Sequence, residues 1–165
     1  MVLYPDLYIE NVLEIDADFL KKNQLKGLLL DVDNTLLYYD RTRLKGIEAW
    51  VKERKAEGTK LCILSNSDKK DKVQLLAEDL GIPFIYFAKK PLKSGFKRAQ
   101  KILGLEACHI GVVGDQIFTD VLGANRMKMK SILTKPLEER DIFITKVKRP
   151  LEDFIIKSYL KKRGN

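Results

Sequence analysis

Short apolar runs alternate along the chain with segments of helical periodicity. The runs that predict strands are residues 25–30, 60–64, 83–87, 110–113 and 131–134. Their nearly continuous apolar character is typical of parallel strands that are covered on both faces. The segments with the apolar spacing of helices are residues 44–57, 71–80, 94–103 and 119–127. The alternation predicts an α/β fold with a central parallel sheet between two layers of helices.

The connections between these elements are short. Gly58, Gly81 and Gly104 fall where helices are expected to end, since glycine readily adopts the left-handed conformation of a helix C-cap. The remaining loops leave no room for an inserted second domain. We therefore expect residues 1–165 to form a single domain, with 150–163 as a basic amphipathic terminal helix.

Polar residues suited to catalysis follow four of the predicted strands. Ligands of open parallel α/β sheets bind beyond the carboxyl ends of the strands. Any one of these residues could be only the cap of the next helix, because Asp and Ser often cap helices. Four such endings in one chain instead indicate a shared site. The segments are Asp31-Val32-Asp33-Asn34-Thr35, Ser65-Asn66, Lys89-Lys90-Pro91 and Gly114-Asp115, the last followed by Asp120.

Carboxylates gathered at one edge of a sheet repel one another unless a cation joins them. Mg²⁺ prefers oxygen ligands and suits such a cluster. We expect Asp31, the backbone carbonyl of Asp33 and Asp115 to bind it. The site is therefore predicted to use Mg²⁺ as its cofactor.

The other polar residues at this edge suit a phosphoryl group. Ser65 offers a hydroxyl donor and Lys90 a positive charge for the phosphoryl oxygens. Backbone N–H groups around Asn34 and Asn66 are expected to complete the phosphate-binding site.

The two carboxylates of the Asp31-x-Asp33 segment can approach one substrate with different roles. Asp31 is predicted to attack phosphorus and form an aspartyl-phosphate. Asp33 is predicted to protonate the leaving oxygen and then to take a proton from the attacking water. Together they predict a phosphatase that works in two steps.

These segments resemble the four motifs of the haloacid dehalogenase (HAD) superfamily, in the order usual for that family. The segments 80–91, 113–126 and 136–141 narrow the resemblance to the YqeG-type members of subclass IIIA, which include phosphatidylglycerophosphate phosphatases. The resemblance spans about residues 25–151. It implies a three-layer Rossmann-like fold without a cap domain.

The resemblance also implies roles for individual residues. Asp31 is the nucleophile, Asp33 the acid and base, and Ser65 and Lys90 bind phosphate. Asp115 binds the metal, and Asp120 lies beside the metal ligands rather than among them. Lys89 competes with Lys90 for the phosphate-binding role, and the Lys-Pro pair of the family favours Lys90.

The charge of the chain is concentrated near its end. Residues 126–165 carry 12 basic and 5 acidic side chains, against 19 and 18 in residues 1–125. Such a basic segment is typical of proteins that contact an anionic membrane or a nucleic acid, and it is also found on merely solvated surfaces. A site without a cap suits a phosphate presented by a large molecule. We therefore expect an anionic phospholipid substrate, with peripheral membrane contact through residues 150–163.

The cysteines and the length of the apolar runs indicate the cellular compartment of the protein. Cys62 and Cys108 each lie beside an apolar run rather than in a closely spaced metal-ligand pattern, and the chain has one His, which argues against a zinc finger or a disulfide framework. The longest apolar runs are far shorter than the ~20 residues of a membrane span, and no leader-like segment opens the chain. A cytoplasmic protein, peripheral at the inner membrane face, is expected.

Several functions remain open at this stage. The leading hypothesis is a Mg²⁺-dependent phosphatidylglycerophosphate phosphatase, and the enzymatic alternative is a soluble sugar-phosphate or nucleotide phosphatase. A signalling receiver domain would not place an acid two residues after the phosphate acceptor, so Asp33 argues against it. A non-catalytic lipid or nucleic-acid binder would leave the catalytic set unexplained, and no nucleic-acid partner is expected. The oligomeric state stays open.

Overall fold

The structure, a computed structural model, describes residues 2–138 and 143–163. Its centre is a sheet in which every neighbouring pair of strands is parallel, with the order β1-β6-β5-β2-β3-β4. The strands are β1 (Leu7–Ile9), β2 (Gly27–Leu30), β3 (Lys60–Leu64), β4 (Phe84–Ile85), β5 (Ile110–Gly114) and β6 (Lys130–Thr134). The predicted parallel sheet is confirmed.

Helices cover both faces of this sheet. They are α1 (Ala17–Lys22), α2 (Ile47–Ala56), α3 (Lys70–Leu80), α4 (Lys93–Leu103), α5 (Leu122–Arg126) and α6 (Phe143–Arg163). Short 3₁₀ turns at Val12–Glu14 and Ala107–His109 precede α1 and β5. Gly81 and Gly104 cap α3 and α4 in the left-handed conformation, as the sequence predicts.

The alternating sides of the central strands form two apolar layers. Leu28 and Leu30 of β2 belong to a core shared with α2 and α3. Leu29, between them, faces the opposite way and packs in a core with Phe96 and Ala99 of α4. Burial on both sides explains why β2 and β5 carry no polar side chain. The architecture is the expected three-layer α/β fold.

Several boundaries differ from the prediction. The strand expected over 83–87 is confined to Phe84–Ile85, because Phe87 has a φ of 48° and leaves the extended conformation. The helix expected from residue 44 begins at Ile47, after Gly46 with a φ of 93°. The terminal helix expected over 150–163 begins earlier, at Phe143, and contains Pro150.

The helix expected over 119–127 is interrupted. A π-helical turn, Ile117–Val121, precedes α5. The sequence patterns also do not predict β1 and α1. Both are short, and β1 lies at the edge of the sheet with two of its three residues only partly buried. Neither offers a long apolar period.

The loop after β2 is the longest connection on the side of the predicted site. Within it, Leu37 pairs with Arg43 in a small hairpin, and Leu44 N–H donates to Leu36 O over 2.9 Å. No further domain is inserted between residues 31 and 46. Of the helices in the described parts of the chain, none has both the length and the apolar character needed to cross a membrane.

Candidate active site

The carboxyl ends of β2, β3 and β5 bring the predicted residues together. Leu30 of β2 is in register with Ile63 of β3 on one side and with Val113 of β5 on the other. The chain therefore leaves the sheet at neighbouring points, and Asp31 follows β2 there, Ser65 follows β3 and Asp115 follows β5. The residues predicted from the sequence therefore lie together at the carboxyl-terminal end of the parallel strands.

Lys90 lies at the centre of this site. Its Nζ is 2.7 Å from Asp31 Oδ1 and 2.6 Å from Asp120 Oδ1, and the residue is only 6% exposed. Lys89 is exposed, and its Nζ lies 4.9 Å from the centre of the Phe87 ring. Of the two candidate lysines, the structure brings Lys90 to the nucleophile predicted from the sequence.

Asn66 holds the backbone of Lys90 in place. The Lys90 N–H donates to Asn66 Oδ1 over 2.6 Å, and Asn66 Nδ2 donates to Lys90 O over 3.0 Å. This pair of hydrogen bonds fixes the chain on either side of the Lys90 side chain. Asn66 therefore positions the lysine, and its predicted contact with phosphate stays a prediction.

Three carboxylates form a cluster around the lysine. The side chains of Asp31, Asp115 and Asp120 each offer an oxygen, and these oxygens lie within 4.8 Å of one another. Asp120 also accepts a hydrogen bond of 3.2 Å from the Gln116 N–H at the start of the π-helical turn. The sequence placed Asp120 beside the metal ligands, and the structure brings it into the same carboxylate cluster.

Gly114 makes room for this arrangement. A Cβ built on Gly114 would lie 2.3 Å from Cγ of Asp120, a distance that real Cβ atoms do not show. The last residue of β5 must therefore lack a side chain for Asp120 to reach Lys90. A requirement of packing explains the glycine that precedes Asp115.

Burial and repulsion raise the pKa of the clustered carboxylates. Desolvation raises the pKa of Asp31 to about 7, with Lys90 opposing this effect and Asp120 adding to it. Desolvation and repulsion from Asp31 hold the pKa of Asp115 well above its ordinary value. Burial alone would lower the pKa of Lys90, but Asp120 and Asp31 outweigh it and raise that pKa. The lysine is a permanent cation among more carboxylates than it can neutralise.

The chemistry of the cluster fits a divalent cation. Asp115 Oδ1 is buried and has no hydrogen-bond partner among the described residues. A buried carboxylate oxygen without a partner is costly, and coordination to a metal removes that cost. The metal-ligand atoms that the side chains of this cluster offer are all carboxylate oxygens, which hard cations prefer. The predicted ligands Asp31 and Asp115 are therefore placed where one cation can contact both.

The Asp33 carboxylate lies outside this cluster. It forms an ion pair with Lys72 in the first turn of α3, and its side chain is 48% exposed. The prediction assigns only the backbone carbonyl of Asp33 to the metal, which agrees with a side chain that points elsewhere. Sequence reasoning missed Lys72. The sequence feature that could have indicated Lys72 is the start of α3 shortly after the Ser65 segment. This start places the first turn of α3 at the carboxyl-terminal end of the strands, near Asp33.

Ser65 and Asn34 are held by the surrounding backbone. Ser65 is fully buried, and its Oγ accepts a hydrogen bond of 3.1 Å from the Ser67 N–H. The Asn34 side chain exchanges two hydrogen bonds with the backbone of Glu138, and the Asn34 N–H donates to Leu37 O over 2.8 Å. Both residues are at the predicted edge. Their contacts with phosphate stay predictions.

A second group of potential metal ligands lies outside the predicted site. The side chains of Glu106, Cys108 and His109 each offer an atom, and these atoms lie within 4.8 Å of one another. Cys108 and His109 lie in the 3₁₀ turn Ala107–His109, and Glu106 directly precedes it. The group precedes β5 and therefore lies at the amino-terminal end of the strands, whereas Asp31 lies at their carboxyl-terminal end.

Comparisons with known proteins identify the family of the chain. The sequence profile of the family described as "Mitochondrial PGP phosphatase" matches residues 1–138. The chain is 40% identical over 162 residues to "Probable phosphatase YqeG" of Bacillus subtilis, covering 98% of this chain and 93% of that protein. It is 30% identical over 169 residues to "Phosphatidylglycerophosphate phosphatase 1, chloroplastic/mitochondrial" of Arabidopsis thaliana, covering 96% of this chain and 48% of that protein.

A solved structure supports the fold. The cobalt-bound deoxy-D-mannose-octulosonate 8-phosphate phosphatase of Haemophilus influenzae superposes with a TM-score of 0.57 at 17% identity, over 84% of this chain and 91% of that one. At this level of identity the likeness concerns the fold alone. Together with the family match, it confirms the predicted resemblance. The chain belongs to the PGP phosphatase family, its fold is that of the HAD phosphatases, and it is a phosphoric monoester hydrolase.

Proposed function

We propose that this phosphatase uses Mg²⁺ and an aspartyl-phosphate on Asp31 to convert phosphatidylglycerophosphate to phosphatidylglycerol. The observation that carries the mechanism is the buried contact of Lys90 with both Asp31 and Asp120, beside the unpartnered oxygen of Asp115. A nucleophilic carboxylate, a fixed cation and an acidic metal site are the parts that phosphoryl transfer needs.

The metal would be held by Asp31, Asp115 and the backbone carbonyl of Asp33. When bound, it neutralises charge on the phosphoryl oxygens and on the clustered carboxylates. Mg²⁺ is the ion proposed because every assigned ligand is an oxygen. Asp120 contacts Lys90 and fixes that lysine against Asp31.

Asp31 performs the first chemical step. One of its carboxylate oxygens attacks phosphorus, a new O–P bond forms, and the bond to the ester oxygen breaks. Lys90 supports this step because its Nζ already lies at Asp31, where the phosphoryl oxygens must arrive. Ser65, buried directly after the neighbouring strand β3, donates its hydroxyl to a phosphoryl oxygen in this proposal.

Asp33 moves the protons. It gives a proton to the departing ester oxygen, and it then takes one from the water that attacks the aspartyl-phosphate. Hydrolysis releases inorganic phosphate and returns Asp31 as a carboxylate. The half-exposed position of Asp33 suits this role because its carboxylate can meet both the leaving group and water.

The substrate is proposed from the relatives. The family description and the Arabidopsis relative both name a phosphatidylglycerophosphate phosphatase. Because residues 31–46 contain only a small hairpin, the site stays open to a phosphate that projects from a membrane. We propose that the enzyme acts from the cytoplasm at the inner face of the membrane.

A substrate panel tests the proposal. Phosphate release would be measured with Mg²⁺ on phosphatidylglycerophosphate in mixed micelles and on soluble sugar phosphates and nucleotides, with Asp31→Asn as the matched inactive control. The proposal expects kcat/KM for the lipid to exceed that of every soluble ester. Preference for a soluble sugar phosphate or nucleotide would favour the alternative substrate class. Activity of Asp31→Asn near that of the original enzyme would overturn the mechanism.

A further inference from the structure

Two exposed apolar side chains flank the buried lysine of the site. Phe87 is 50% exposed and Leu92 is 53% exposed, although only Ala88, Lys89, Lys90 and Pro91 separate them. Large apolar side chains at such a position contribute little to the core. We call Phe87, Lys89 and Leu92 the rim.

The rim is fixed to the strand end that carries Ser65. The Phe87 N–H donates to Ser67 O over 2.8 Å, and the Ala88 N–H donates to Ser65 O over 2.8 Å. The Leu92 N–H closes the segment by donating to Lys89 O, again over 2.8 Å. Backbone contacts therefore hold the rim beside the phosphate-binding residues.

The backbone of the rim adopts a conformation that ordinary side chains rarely take. Phe87 has a φ of 48° and Lys89 a φ of 56°, both in the left-handed region that favours glycine. Glycine would adopt this backbone conformation at a lower energetic cost than Phe or Lys at either position. The segment turns Lys90 into the site and leaves Lys89 outside, with its Nζ 4.9 Å from the Phe87 ring centre.

We propose that the rim is the specificity element of this site and binds the part of the substrate beyond the reacting phosphate. Lys89 pairs with a second anionic phosphate of the same molecule, and Phe87 and Leu92 contact its apolar chains. This inference rests on the proposed phospholipid substrate. The order from buried Lys90 to exposed Lys89 to exposed Phe87 parallels the order of terminal phosphate, phosphodiester and acyl chain in that lipid.

Inhibition by n-alkylphosphonates tests the apolar contact without requiring turnover of the lipid. The inhibition constants of methylphosphonate and octylphosphonate would be measured against hydrolysis of p-nitrophenyl phosphate. Burial of about two methylene groups predicts that octylphosphonate binds roughly tenfold more tightly. In Phe87→Ser and Leu92→Ser this ratio should fall below about threefold. Ile102→Ser is the matched control, because Ile102 is 48% exposed near the far end of α4.

A second pair of inhibitors tests Lys89. Propane-1,3-bisphosphonate carries a distal anionic group that propylphosphonate lacks, so it should bind several-fold more tightly at a fixed concentration of unbound Mg²⁺. Lys89→Gln should remove that preference. Lys101→Gln, an exposed lysine of α4, should retain it.

The outcomes separate this inference from the proposed function. Failure to hydrolyse phosphatidylglycerophosphate, with the chain-length ratio intact and lost in Phe87→Ser, would reject the lipid as substrate and support the rim. A chain-length ratio near one in the original enzyme would overturn the rim. The proposal would also be overturned if Phe87→Ser left the ratio of the two inhibition constants unchanged. A rim with only a structural role would weaken the binding of both phosphonates equally.

Discussion

Lys90 Nζ lies 2.7 Å from Asp31 Oδ1, although the two residues are 59 positions apart in the chain. The contact joins the end of β2 to the segment that follows β4, and both side chains are almost fully buried. Lys90 opposes the rise in the pKa of Asp31 that burial causes, so it favours the anionic carboxylate that a nucleophile requires. Lys90 also contacts Asp120, whereas Asp115 Oδ1 has no hydrogen-bond partner among the described residues, which agrees with the metal ligation proposed for Asp115.

The Asp31→Asn substitution tests the nucleophile. An amide cannot form the aspartyl-phosphate, so phosphate release should fall at least ~10³-fold. The fold should persist, because the substitution preserves the size of the side chain and removes one of several repelling charges. Phosphate release and circular dichroism would be measured on the same preparation. A folded variant with near-normal turnover would contradict the assignment.

The Lys90→Met substitution tests the buried ion pairs. It leaves Asp31 and Asp120 without their cation, and breaking a buried pair in this way costs about 3–5 kcal/mol. The free energy of unfolding in urea would be measured without metal. Lys89→Met is the matched control and should change that free energy by about 0.5 kcal/mol or less, because Lys89 is exposed. Equal effects of the two substitutions would contradict the burial of Lys90.

The Asp33→Asn substitution tests the acid. Loss of proton donation should lower kcat by ~10²–10⁴ for alkyl phosphates, whose leaving oxygen needs a proton. For p-nitrophenyl phosphate the first step should suffer far less, because the nitrophenolate leaves without one. Single-turnover release of the alcohol and of nitrophenolate isolates this step. Equal losses for the two esters would remove Asp33 from the acid role.

The raised pKa of Asp31 predicts how the metal-free protein responds to pH. The folded state holds a proton on Asp31 up to pH about 7, whereas the unfolded state releases it near ~4. Between these values the folded state binds more protons, so the free energy of unfolding falls as pH rises, by at most ~1.4 kcal/mol per unit for this group. Urea unfolding between pH 5 and 7 in excess chelator measures the slope. In Asp31→Asn the slope should be shallower, and an unchanged slope would exclude Asp31 as its source.

The sequence predicted the central part of the fold because that part is apolar on both sides. β3 has the predicted bounds, 60–64, and all of its positions after Lys60 are buried. The edge strand β1 could not be predicted in the same way. It is short, and its pairing with β6 depends on residues more than a hundred positions away. Such long-range pairing leaves no periodic signal in a local window.

The site was predictable to the extent that topology determines it. Parallel strands end at one edge, so the proximity of Asp31, Ser65 and Asp115 follows from their positions directly after strands. The start of α3 shortly after the Ser65 segment indicates that Lys72 lies near the site, but its ion pair with Asp33 depends on the orientation of α3 relative to the loop after β2 and was not predictable. The position of Asp120 within the carboxylate cluster likewise depends on the π-helical turn, which no sequence pattern indicated.

The terminal helix α6 predicts attraction to anionic membranes. Its inner side packs on the protein through Ile155 and Tyr159, whereas Leu151, Phe154 and Leu160 are about half exposed or more. Exposed apolar residues beside lysines are typical of helices that lie on a lipid surface.

Vesicle sedimentation with anionic and neutral lipids would measure this attraction at two salt concentrations. Binding to anionic vesicles should exceed binding to neutral ones and should weaken as salt shortens the ~10 Å Debye length. Replacement of Lys161, Lys162 and Arg163 by Gln should weaken binding about 100-fold, since each basic residue near the surface contributes ~1 kcal/mol.

The matched control replaces the exposed residues Lys21, Lys22 and Lys26, which removes the same charge from another part of the chain. If both triple variants weaken binding equally, net charge rather than α6 attracts the protein. Binding that ignores lipid charge and salt would show that the basic helix is only a solvated surface.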